Sequence, residues 1–216
     1  MSAVELFMGR LAQCPLVAII RGVQPHEAEA VGDALFNAGM RIIEVPLNSP
    51  QPFSSIERLA KRFGSEATIG AGTVLDPADV QRVRDSGGQL VVSPNVEDSV
   101  IAATAAAGMV SAPGFFTPTE AFRAVRAGAH VLKLFPAEGA SPAVLKAQLA
   151  VLPADVPVLA VGGITAANMS DYLAAGARGF GLGSGLYAPG RSAGDVAQRA
   201  AEYVAALQLS RQSDHT

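Results

Sequence analysis

Residues 127–136 read AGAHVLKLFP, and two features of that stretch decide the fold. It opens on Ala127-Gly128, a small residue plus glycine of the kind that ends a helix, where glycine supplies the left-handed cap. A short apolar run, His130–Leu134, follows at once with the length and composition of a strand. The same junction recurs at Ala38-Gly39, Ser86-Gly87, Ala107-Gly108 and Ala175-Gly176. With an N-terminal helix set aside, the strand candidates are Leu16–Arg21, Arg41–Val45, Ala67–Gly70, Gln89–Val92, Met109–Ala112, His130–Leu134, Val156–Val161 and Gly179–Leu182. Helical stretches such as Pro25–Ala38, Pro52–Phe63, Pro77–Ser86 and Thr165–Ala175 lie between them. Several begin with proline in the first turn, where its missing N–H costs nothing. Asp76 and Thr165 are the expected N-caps. Alternating strands and helices imply a parallel sheet. Eight such units in 216 residues imply one compact α/β domain, a (β/α)8 barrel of the TIM type. An open doubly wound sheet is the competing arrangement. No linker or change of composition divides residues 1–216, and the polar end, 210–216, reads as a frayed tail.

Composition narrows the function. Half the residues are hydrophobic and 16% are charged, which allows a sizeable core. Net charge is −3 with no block of Lys or Arg, so neither nucleic acid nor an anionic membrane is an expected partner. No apolar run approaches the ~20 residues of a membrane helix. The first residues, MSAVELFMGRLAQCP, are amphipathic and carry Glu5, unlike a secretory signal. Cys14 is the single cysteine, precedes Pro15 and reads as structural. These features favour the cytoplasm. The three histidines, His26, His130 and His215, are scattered, and no metal or other cofactor is expected from their spacing.

Within AGAHVLKLFP, side-chain alternation puts Val131 and Lys133 on one strand face and Leu132 and Leu134 on the other. An ammonium against an apolar wall loses hydration, so its pKa falls and the neutral amine becomes available as a nucleophile. The plainer reading is a strand-end lysine that snorkels to solvent. Glu44 is the fifth residue after Gly39, and Lys133 is the fifth after Gly128. The two therefore occupy the same place on strands two and six, and alternate strands of a barrel share interior layers. A carboxylate opposite an amine can move protons while the amine forms a covalent bond. It can also be a structural ion pair.

Two glycine-rich turns follow strands seven and eight: Val161-Gly162-Gly163-Ile164-Thr165 and Gly179-Phe180-Gly181-Leu182-Gly183-Ser184-Gly185. In barrels these loops hold phosphate with backbone N–H groups, although tight rim turns look similar. A dinucleotide fingerprint is excluded for GFGLGS, because no βαβ unit and acidic residue follow it. Arg21, at the end of strand one, can pair with a carboxylate. Asn48 and Thr73 are short polar groups at the expected mouth, where they also serve turns. Pro94 and Phe135 would form an apolar wall around the amine or simply pack their loops.

The runs EVPLNSP, IGAGTVL, VSPN, PGFFTPTEA, LKLFPAE, AVGGIT and GLGSGLY, from about Pro15 to Tyr187, resemble the class I aldolases of 2-keto-3-deoxy-6-phospho sugar acids. The resemblance implies a (β/α)8 barrel, a homotrimer and reversible cleavage of a phosphorylated keto acid to pyruvate and glyceraldehyde 3-phosphate. It implies that Lys133 is the Schiff-base lysine and Glu44 the proton carrier. Arg21 and Thr73 match positions near the pyruvyl carboxylate, and Gly162, Gly163, Gly183 and Ser184 match the phosphate turns. Asn48 together with Arg21 points to the galactonate-type branch; the gluconate type usually has Arg at the first position and no Arg at the second. Phe115-Phe116 departs from the smaller residues common in relatives. A phosphosugar isomerase or synthase on the same barrel, or a phosphosugar-binding protein without activity, would share the glycine turns.

Overall fold

The computed structural model describes the backbone of residues 1–213 and the side chains of residues 1–210. Helix α1 (Ala3–Gln13) opens the chain with a capping box between Ser2 and Glu5. Nine strands follow: β1 (Leu16–Ile19), β2 (Ile42–Pro46), β3 (Thr68–Gly72), β4 (Leu90–Val92), β5 (Val110–Ala112), β6 (Gly114–Phe115), β7 (Leu132–Leu134), β8 (Val158–Val161) and β9 (Gly179–Leu182). Helices α2 (Pro25–Asn37), α3 (Pro52–Phe63), α4 (Pro77–Asp85) and α5 (Asp98–Ala106) come after β1 to β4 in turn. The remaining helices are α6 (Pro118–Arg126), α7 (Pro142–Leu149), α8 (Met169–Ala174) and α9 (Ala193–Ser213). The expected tail, 210–216, is thus helical as far as Ser213, and its last three residues lie outside the described ones.

All strand pairs are parallel, in the order β5-β4-β3-β2-β1-β9-β8-β7-β6. The result is a nearly closed barrel of nine strands where the sequence suggests eight. The additional strand arises at Pro113, the single residue between β5 and β6. Proline has no N–H to give to a ladder and interrupts the strand. Backbone bonds bridge the interruption: Gly114 donates to Ser93 C=O at 3.0 Å, and Lys133 donates to Pro113 C=O at 3.0 Å.

The junction glycines behave as their sequence suggests. Gly39, Gly87, Gly108, Gly128 and Gly176 all have φ between +71° and +104°. Asp76 caps α4 by accepting from Ala78 N–H at 2.8 Å. Thr165 does not cap a helix. Its N–H donates to Asn168 Oδ1 at 2.9 Å, which closes a turn, and α8 starts four residues later than expected. Strand β1 stops at Ile19, so Arg21 stands in the following turn, beside Gly22 at φ +84°. Strand β7 starts at Leu132, because the N–H groups of His130 and Val131 both reach Ser111 C=O, at 3.0 and 3.1 Å.

Two apolar layers result. The outer one packs the helices on the barrel and includes Leu132 and Leu134. The inner one fills the barrel with Val17, Ile42, Leu90, Val110 and Val131, together with Phe7 and Leu11 from α1. Arg10 anchors α1 to the start of β3 through Thr68 Oγ1 at 2.6 Å, so Phe7 and Leu11 close the N-terminal end. Among the described residues no helix is long and apolar enough to cross a membrane.

Candidate active site

Lys133 lies at the centre of β7 and is 7% exposed; Glu44 lies at the centre of β2 and is 2% exposed. Both line one interior cavity of about 20 Å³ with Val17, Ile19, Leu90 and Val161 among its walls. That volume holds about one water. The snorkelling alternative for Lys133 is thereby removed.

The electrostatics follow from burial. Glu44 is pushed up from 4.5 to about 7, chiefly by loss of hydration, with Lys133 and Arg21 pulling the other way. Lys133 is pushed down, first by burial and further by Arg21, against the attraction of Glu44. Glu44 Oε2 has no hydrogen-bond partner among the described residues. The Lys133 Nζ sits 4.5 Å from the centroid of the Phe135 ring, so Phe135 forms part of the wall.

Gly72, in the run IGAGT, makes room for the acid. A Cβ there would lie 1.6 Å from Glu44 Oε2. Sequence reasoning did not single out Gly72. Its run of small residues was visible, but the carboxylate it accommodates comes from the neighbouring strand.

At the C-terminal mouth, Arg21 donates through Nη1 to Asn48 Oδ1 and, at 3.3 Å, to Thr73 Oγ1. Three loops, after β1, β2 and β3, thus meet in one polar cluster. Thr73 holds a left-handed backbone, φ 56°. Pro94 is not part of this cluster or of the cavity walls. It is half-buried, and its carbonyl closes on Gly114, where a Cβ would lie 2.4 Å from it. That carbonyl packs at the interruption in the fifth unit. Phe115 is buried, whereas Phe116 is 40% exposed.

Beside the cavity, a cleft of about 590 Å³ is lined by Arg21, Phe135, Gly162, Gly163, Gly183 and Ser184. Cleft and cavity share Ile19, Val161 and Gly181 as walls, which makes them neighbours. Gly162 and Gly163 have φ +101° and +67°. Positive φ is open to glycine at little cost and exposes backbone to a ligand. The sequence did not reveal that Glu138 and Tyr187 also line this cleft.

The KDPG and KHG aldolase family model matches residues 8–199, and the chain belongs to that family. It is 55% identical over 192 residues to the probable 2-dehydro-3-deoxy-6-phosphogalactonate aldolase of Rhizobium meliloti (strain 1021), covering 89% of this chain and 91% of that one. It is 47% identical over 194 residues to the 2-dehydro-3-deoxy-6-phosphogalactonate aldolase of Escherichia coli (strain K12), covering 90% and 95%. A solved structure described as native KDPGal superposes with a TM-score of 0.91 at 46% identity, over 93% of this chain and 97% of that one.

Proposed function

We propose that this chain is a class I aldolase that reversibly cleaves 2-dehydro-3-deoxy-6-phosphogalactonate to pyruvate and D-glyceraldehyde 3-phosphate. The observation that carries the reading is Lys133, a desolvated amine sharing a one-water cavity with Glu44 at the base of a glycine-turn cleft. The relatives' names give the substrate class.

Neutral Lys133 adds to the C2 ketone, and the carbinolamine takes up one proton from solvent and loses water to leave a protonated imine. Glu44, directly or through a water, takes the proton of the C4 hydroxyl. The C3–C4 bonding pair flows into the iminium, the aldehyde departs, and an enamine remains. Protonation at C3 and hydrolysis release pyruvate and restore the amine. The iminium is itself the electron sink, so the bond cleavage asks for no Lewis acid. Arg21, with Asn48 and Thr73 orienting it, holds the pyruvyl carboxylate. Phe135 keeps the amine dry. The turns at Gly162-Gly163 and Gly183-Ser184 hold the phosphate, and that remote binding orients the reacting centre.

In this reading β5 and β6 are halves of one strand, which makes the barrel an eightfold (β/α)8 ring. The enzyme works as a cytoplasmic homotrimer, in keeping with the family resemblance and the lone buried cysteine.

The test is borohydride trapping. Wild-type protein treated with pyruvate and borohydride gains the mass of a reduced adduct, and Lys133→Ala gains none and does not cleave substrate. Labelling of the variant would reassign the nucleophile. An isomerase or synthase needs no imine, so an unlabelled wild type would favour that class instead.

A further inference from the structure

The glycine turn after β9 has a backing that the mechanism above does not use. Leu186 and Tyr187 both donate their N–H to Gly183 C=O at 2.9 Å, which closes the turn. Two arginines from the following chain hold the turn's outward carbonyls. Arg191 Nη1 donates to Ser184 C=O at 3.0 Å and to Gly185 C=O at 3.4 Å. Arg199, in α9, donates to Gly185 C=O at 3.0 Å. The neighbouring carboxylates have other partners: Asp195 accepts from Ser192 Oγ at 2.7 Å, and Glu202 accepts from Gln198 Nε2 at 3.2 Å. No ion pair among the described residues neutralises either guanidinium.

In a trans peptide the N–H and C=O point in opposite directions. The Ser184 carbonyl shares its peptide plane with the Gly185 N–H. A guanidinium gripping that carbonyl from outside turns the N–H toward the cleft that Ser184 and Gly185 line. The charge-assisted bond from Arg191 to Ser184 C=O also polarises that peptide and makes the Gly185 N–H a stronger donor to an anion, whereas the N–H paired with Gly185 C=O, that of Leu186, is spent on Gly183 C=O, so Arg199 braces the turn at its closing peptide. Each arginine adds positive charge behind the turn, in a pocket that Asp195 and Glu202 also line.

We propose that Arg191 and Arg199 are positioning residues for the phosphate end of the substrate, acting through the turn at Gly183–Gly185 without touching the ligand. This rests on the aldolase reading of the cleft. The experiment compares wild type with Arg191→Ala, Arg199→Ala and the double variant on the 6-phosphorylated keto acid and on its unphosphorylated counterpart. Inorganic phosphate, titrated as a competitive ligand, gives a second readout independent of turnover. Removing one charged hydrogen bond should raise KM for the phosphorylated acid and Kd for phosphate about tenfold. The double variant should show a larger rise, kcat at saturation should hold, and Arg191→Lys should recover part of the loss. The unphosphorylated acid and pyruvate trapping should be unaffected. Equal losses on both acids, or phosphate affinity unchanged in all variants, would reduce the arginines to fasteners of α9 and overturn the proposal. If wild type neither traps pyruvate nor cleaves, the aldolase reading fails by itself, and the phosphate titration still decides the role of the arginines.

Discussion

Glu44 takes its chemistry from its surroundings. With its carboxyl raised to about 7, it changes charge where such an enzyme would operate. As the base that accepts the C4 proton it must be ionised, so kcat/KM should fall as pH drops below about 7, reporting the free enzyme. Glu44→Gln should lose ~10²–10⁴-fold in turnover, lose that acidic limb, and still form some adduct with pyruvate. A variant with wild-type turnover would remove Glu44 from the reaction. Lys133 and Glu44 were legible in the sequence because each is a charge within a run that otherwise builds a core. Gly72 was not, because its function depends on a side chain 28 positions earlier (72 − 44) and on the pairing of β2 with β3. Arg191 and Arg199 were invisible for a similar reason: a surface arginine looks the same whether it faces water or a carbonyl.

At the scale of elements, the alternation of strands and helices was readable from glycine junctions, since a left-handed cap is a local requirement. Element ends were less so. β7 is shorter than its apolar run because Ser111, on another strand, takes the N–H groups of His130 and Val131; β1 stops at a turn in which Val23 N–H donates to Ile20 C=O; and α8 is displaced by the asparagine turn within its own stretch, none of which an apolar pattern carries. Helix α1 shows the same limit. Its amphipathic sequence announced a helix, yet nothing in it announced that Phe7 would seal the barrel. Phe7 is fully buried in the inner layer. Phe7→Ala should cost ~3–5 kcal/mol, as for other large core truncations. The check is a denaturant midpoint that falls with the slope unchanged. A loss under about 1 kcal/mol would mean that α1 merely rests on the barrel.

For the whole molecule, the buried acid links stability to pH. Glu44 titrates at about 7 when folded against 4.5 as the ordinary value, so the folded state holds its proton more tightly. That contribution is complete below 4.5 and is lost as pH rises through about 7. At about 1.4 kcal/mol per unit, the loss is on the order of 3 kcal/mol at about pH 8. Glu44→Gln, which cannot ionise, should therefore gain stability over wild type at about pH 8 and little at about pH 4. A gap that does not widen between the two would show that the ionised carboxylate is fully supported by Lys133. Near-closure of the ring was foreseeable from the number of units, but its interruption at Pro113 was not, because one proline inside an apolar run also fits a strand edge. The plug made by Phe7 and Leu11 bears on traffic as well as on stability. A lumen stopped at one end has a single doorway. In the proposed cleavage, the aldehyde departs past the glycine turns while pyruvate is still tethered to Lys133. Release is then ordered, with the three-carbon phosphate out first and the keto acid last.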